Sequence, residues 1–123
     1  MATIVSSANA EHYTWGGPEG TDSDAWWLVR GSALSVIEER MPPGTSETMH
    51  RHGSARQFFY VLEGQLTMTI EGETLLLRAG EGLEVNPGQP HQARNDGDAA
   101  VRFLVISQPP SHGDRMEEAT YRS

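Results

Sequence analysis

Residues 44–64 read Gly-Thr-Ser-Glu-Thr-Met-His-Arg-His-Gly-Ser-Ala-Arg-Gln-Phe-Phe-Tyr-Val-Leu-Glu-Gly, with His50 and His52 two apart. On an extended strand this spacing sends both imidazoles to one face, where they can grip a single cation. Gln57 follows and opens an apolar run. A turn at Gly53-Ser54, with the run 58–62 as partner strand, would bring its amide beside the two rings. His91 offers a fourth candidate ligand, in the Gly/Pro-punctuated block 80–95. The chain has no cysteine, which excludes disulfides and thiolate ligands, so the site is nitrogen and oxygen in character. Neutral imidazole suits zinc, nickel, copper, cobalt or iron, and relative affinity alone does not choose among them. Gln57 supplies a neutral amide oxygen where a carboxylate would cancel part of the cation's charge, so the bound metal is expected to be the stronger Lewis acid. The alternative for Gln57 is a hydrogen bond to a metal-bound water.

The elements that must carry these residues are short strands. The runs 25–29 and 32–41 are strand-like, and Pro42-Pro43-Gly44 ends the second as a turn. Leu66, Met68 and Ile70 alternate with polar residues, and Glu71-Gly72-Glu73 turns that strand into a hairpin with 74–78. Segments 83–85, 91–94 and 101–107 add further strands, giving seven to nine in an all-β sandwich or barrel. If Gln57 points inward, so do Phe59 and Val61, and Phe59, Val61, Met68 and Phe103 become the candidate walls of a small, mostly apolar substrate pocket. Arg40, Arg94 and Arg102 could add a carboxylate clamp if they face it. Glu38-Glu39 and Glu71/Glu73 do not make a glycosidase pair, because strand neighbours point to opposite faces and the turn pair is solvated. His12 and His112 read as surface residues, Trp26-Trp27 as core and interface, and Asn95 as a turn-holding side chain.

The two blocks resemble the two sequence motifs of the cupins, small β-barrels that bind a metal. Gly44, His50, His52 and Gly64 fit the first motif, and Gly80, Gly88, His91 and Asn95 the second. Gln57 stands where the family usually has a glutamate ligand, and Asn86 where it usually has proline. The resemblance spans residues 34–107 and implies a single-domain jelly-roll barrel, or double-stranded β-helix, over 1–123 with its core at 26–108. An irregular N-terminal arm, with one short strand, and a polar C-terminal tail, with one helical turn, would flank it. It further implies one divalent transition metal on His50, His52, Gln57 and His91. Three histidines with one glutamine resemble the set in enzymes that linearise unsaturated uronates, but residues 103–110 lack the acidic and arginine arrangement associated with them, so the substrate does not carry over. Three functions follow: a metal-dependent enzyme using Lewis-acid, lyase or isomerase-type chemistry on a small oxygenated molecule; a dioxygenase using iron, nickel or copper; or a non-catalytic ligand- or metal-binding module. Small cupins commonly associate through sheet edges, so a homodimer is expected.

Composition narrows the partners. Seventeen acidic residues against nine basic ones give a net charge of -8, which opposes nucleic acid and anionic membrane surfaces. All nine basic residues are arginines, so lysine Schiff-base chemistry is excluded. The chain has no long apolar run, and residues 1–10 lack the basic start and apolar core of a secretory leader, making the cytoplasm the expected location.

Overall fold

Alternating apolar residues along the chain become the strands of the computed structural model, which describes residues 1–117. They are β1 (Glu11–Trp15), β2 (Ser23–Arg30), β3 (Ser35–Met41), β4 (His50–His52), β5 (Arg56–Glu63), β6 (Gln65–Ile70), β7 (Glu73–Arg78), β8 (Gly82–Val85), β9 (His91–Arg94), β10 (Val101–Gln108) and β11 (Arg115–Glu117). One sheet has the order β1-β2-β3-β10-β5-β8 and the other β11-β4-β9-β6-β7. The described residues form no helix. This is the all-β jelly-roll architecture expected from the sequence.

Period-2 patterning explains how the two sheets face each other. On β10, Val101, Phe103, Val105 and Ser107 are buried while Arg102, Leu104 and Ile106 lie half-exposed on the other face. Register then sets rows across the sheet: Val105 sits opposite Ile37 on β3 and Phe59 on β5, and Ser107 opposite Ser35 and Gln57. Leu66, Met68 and Ile70 of β6 meet these rows from the second sheet and complete one apolar core. The β6–β7 hairpin closes through Glu71 (φ 49) and Gly72 (φ 83), two left-handed residues as a two-residue turn demands.

Two expectations are corrected here. The run 58–62 is not the hydrogen-bonded partner of the His50–His52 strand: β4 pairs with β9 and β11, whereas β5 lies in the other sheet. The chain crosses between sheets at residues 53–55, where the Asp114 carboxylate accepts the backbone N–H groups of Gly53, Ser54 and Ala55 at 3.1, 2.9 and 2.9 Å. The stretch after Gln108 is also more than a polar tail, and residues 115–117 form the edge strand β11 in place of a helical turn. All three of its residues are exposed, so backbone hydrogen bonds to β4 hold it with no apolar face to bury. Residue 118, the end of the expected tail, lies outside the described residues.

Candidate metal centre

Three strands from two sheets converge on one point. β4 places His50 and His52 on its inner face, and β9 sets His91 directly opposite His50. The nearest ring nitrogens of the three histidines all lie within 4.8 Å of one another, a grouping able to hold a metal ion. Gln57 comes from β5 in the facing sheet. His50, His52, Gln57 and His91 are 3%, 6%, 4% and 0% exposed, so each polar atom there must find a partner or remain costly.

Hydrogen bonding fixes which atoms are free. His50 Nδ1 donates to the Thr48 carbonyl at 2.8 Å, and His91 Nδ1 donates to the Gln89 carbonyl at 2.9 Å. A carbonyl can only accept, so both protons sit on Nδ1 and both Nε2 atoms keep a lone pair. His91 Nε2 and His52 Nδ1 are buried without a partner. Gln57 Nε2 donates to Ser107 Oγ at 3.0 Å, which leaves its Oε1 buried and unpartnered as well. A buried polar atom left unpaired costs about 1–3 kcal/mol, and these donors share the chemistry a divalent transition metal satisfies.

The electrostatics keep the rings neutral. Burial, followed by the Arg115 charge, lowers His50 to about 3, and burial with the neighbouring His91 lowers His52 to about 4. His91 is lowered chiefly by burial. All three therefore present lone pairs rather than protons at neutral pH.

A cavity of about 240 Å³ opens beside the rings, lined on its apolar side by Trp15, Ile37, Phe59 and Val105. Tyr13, Glu39, Glu47, His112 and Arg115 contribute the polar wall. Burial pushes the Glu39 carboxyl up to about 8, with the Glu47 charge adding to it, and burial raises Glu47 to about 7. Glu47 is partly held back by the Arg115 charge and by the Ala93 N–H that it accepts at 2.9 Å.

Among the expected pocket walls, Phe59 lines the cavity, whereas Val61, Met68 and Phe103 are packed in the apolar core and do not reach it. The cavity occupies the end of the barrel marked by Gln57, and each two-residue step along β5 moves away from it. Arg40, Arg94 and Arg102 give no carboxylate clamp: they pair with Asp24, Asp96 and Glu38 instead. His112 is a surface residue, as expected, but not one remote from the site. Although exposed, it packs on Trp27 (ring centroids 4.7 Å) and Tyr13 (5.9 Å) at the cavity mouth. His12 stays on the outside, 2.9 Å from Asp24. Asn95 holds its turn, donating to the Met41 and Ala99 carbonyls and accepting from Gly97 N–H.

Sequence reasoning weighed Glu39 only as half of a Glu38-Glu39 pair and did not place it at the site. Its signal was the inward series Ser35, Ile37, Glu39, Met41, where period 2 turns a carboxyl toward the interior. Arg115 and Tyr13 had no such signal, because their strands lie at the sheet edges.

Comparison with known proteins agrees with this architecture. The family model described as Cupin domain matches residues 37–107. An uncharacterized protein, MJ1618, of Methanocaldococcus jannaschii is 31% identical over 88 residues, covering 71% of this chain and 70% of that protein. The chain belongs to the cupin-domain family. Polyketide synthase CurC of Streptomyces cyaneus is 38% identical over 83 residues, covering 64% of this chain and 54% of that protein. An RmlC-like cupin from Shewanella frigidimarina has the same fold, with a TM-score of 0.78 at 19% identity over 92% of this chain and 96% of that one. No helix among the described residues is long and apolar enough to cross a membrane.

Proposed function

We propose that this cupin is a metal-dependent enzyme in which His50, His52, His91 and Gln57 hold one divalent transition metal facing the cavity. The observation that carries the reading is the set of buried, partnerless donor atoms converging from facing sheets. When bound, such a cation supplies Lewis acidity, polarising a carbonyl oxygen or acidifying a water. The chain's own residues do the rest. Gln57, neutral and oriented by Ser107, leaves the site's positive charge uncompensated. Ile37, Phe59 and Val105 exclude water from one side of the ligand, while Glu39 and Glu47 offer carboxyl groups on the other.

The volume favours a compact ligand, since pockets for drug-sized ligands run from about 300 to 1,000 Å³. The polyketide relative makes a carbonyl-bearing molecule the favoured class, acted on by lyase or isomerase-type chemistry. Calorimetric titration with maltol, a compact hydroxy-ketone chelator, tests the site. Zinc-loaded protein should bind it at least tenfold more tightly than chelator-stripped protein, and equal affinity would count against the reading. An oxygen electrode should register no uptake with carbonyl substrates, whereas stoichiometric uptake would replace this function with that of a dioxygenase.

A further inference from the structure

We propose that Glu39 is the proton carrier of this site, taking a proton from the carbon next to the carbonyl of a bound, enolisable substrate and returning it to complete an isomerisation. The proposal rests on the metal-dependent reading above and deepens it by naming the substrate class and the residue that moves the proton.

Three charged side chains line the cavity, and two are engaged. Glu47 accepts the Ala93 N–H and lies 4.0 Å from His50 Nδ1. Arg115 is bound to Glu117 at 2.6 Å and to the Thr48 carbonyl at 3.4 Å. Glu39 alone of the three makes no hydrogen bond or ion pair among the described residues, although it faces a cavity that also holds the partnerless Gln57 Oε1. Its strand neighbours on the inner face, Ile37 and Met41, are both buried and apolar. A carboxyl in such surroundings is poorly hydrated and free to meet a ligand.

The other titratable groups facing it cannot take the role as readily: His112 sits at the cavity mouth with its ring packed on Trp27 and Tyr13. The lone pairs of the three histidines are committed to the cation in this reading. Burial holds the Tyr13 hydroxyl well above its usual range, with the Glu39 charge adding to it, so Tyr13 keeps its proton. Glu47 and Arg115 face Glu39 with opposite charges, and burial together with Glu47 leaves the Glu39 carboxyl poised to exchange a proton near neutral pH.

The step balances without a co-reactant. The C–H bond breaks, its proton goes to a Glu39 carboxylate oxygen, and its electron pair becomes the carbon–carbon double bond of an enolate whose negative charge sits on the former carbonyl oxygen. In an α-hydroxy ketone, the hydroxyl proton then passes from the neighbouring carbon's oxygen to the charged former carbonyl oxygen, the Glu39 carboxyl returns its proton to the former carbonyl carbon, and the neighbouring carbon is left as the new carbonyl. The product is an isomer, and no oxidant or reductant is consumed.

The test uses dihydroxyacetone in deuterium oxide with zinc-loaded protein, following loss of the carbon-bound proton signal by NMR. Wild type should exchange at least tenfold faster than zinc alone. Glu39→Gln should lower the protein-catalysed rate about 100-fold or more while zinc content stays at wild-type level. Glu39→Asp should retain part of the rate, and Glu38→Gln, on the outer face of the same strand, should leave it unchanged. Equal exchange in wild type and Glu39→Gln, or wild-type exchange no faster than zinc alone, would overturn the proposal. Failure of wild type to bind zinc would instead overturn the metal reading beneath it, so the two failures are distinguishable.

Discussion

Gln57 is one of two positions where this chain departs from the cupin motifs it resembles, and the one where a single atom type changes the physics. In Gln57→Glu a negative charge replaces a neutral amide oxygen beside the metal, so affinity for hard ions should rise. Manganese competition should show a gain of about tenfold, with Lewis-acid activity falling although metal is retained. Unchanged manganese affinity would remove Gln57 from the ligand set. A second residue-scale prediction concerns pH in the metal-free protein. Glu39 is raised from 4.5 to about 8, so the stability tied to its neutral form is complete below about 4.5 and is lost as pH rises through 8. His50 is lowered from 6.5 to about 3, so its contribution is complete above 6.5 and is lost as pH falls toward 3. In thermal melts, Glu39→Gln should therefore gain on wild type between pH 5 and pH 8, and a constant difference would contradict the raised carboxyl. His50 and His52 were legible because their spacing alone puts them on one face, and His91 because its block resembles the second cupin motif. Glu39 was not, because its importance depends on which neighbours leave it unpaired, and only the packed structure decides that.

Among the elements, those with an apolar face could be read from sequence and those without could not. The β6–β7 hairpin was legible to within one residue: Leu66, Met68 and Ile70 alternate and Glu71-Gly72 turns the chain, but Glu73, expected in the turn, opens β7 opposite Ile70. Alternation says nothing about partner choice, however, and so β5 was given to the wrong neighbour. The strand β11 has no buried side chain and left no periodic trace. Asp114 shows why this edge matters: its carboxylate gathers three N–H groups at the crossover between His52 and Gln57. Those bonds, led by Ser54 and Ala55, hold its pKa below the usual carboxylate value. Asp114→Ala should speed amide exchange at Gly53, Ser54 and Ala55 and weaken metal binding several-fold by freeing both ligands to move. Unaltered exchange at all three amides would show that the crossover holds itself.

At the scale of the molecule, the outer face of the larger sheet poses a different question from the cavity. Phe58 and Leu62 are exposed and large, and Tyr60, Leu104 and Ile106 lie half-buried beside them on β5 and β10. The tryptophans expected at an interface are already engaged within the chain, Trp26 beneath Arg102 and Trp27 beneath Arg30. We therefore propose a homodimer through the β5–β10 outer face. Light scattering should give a dimer at micromolar concentration and a monomer for Phe58→Glu, while a monomeric wild type would reject it. The cavity and the cluster of His50, His52 and His91 beside it lie on the other side of that sheet, so metal binding should survive in the monomeric variant. The most direct test of the whole account is elemental analysis of wild type, His50→Ala, His91→Ala and His112→Ala after loading with zinc and removal of excess. Wild type and His112→Ala should retain about one zinc per chain, and the other two should lose at least nine-tenths of it. Equal zinc in all four proteins would contradict the metal centre described here.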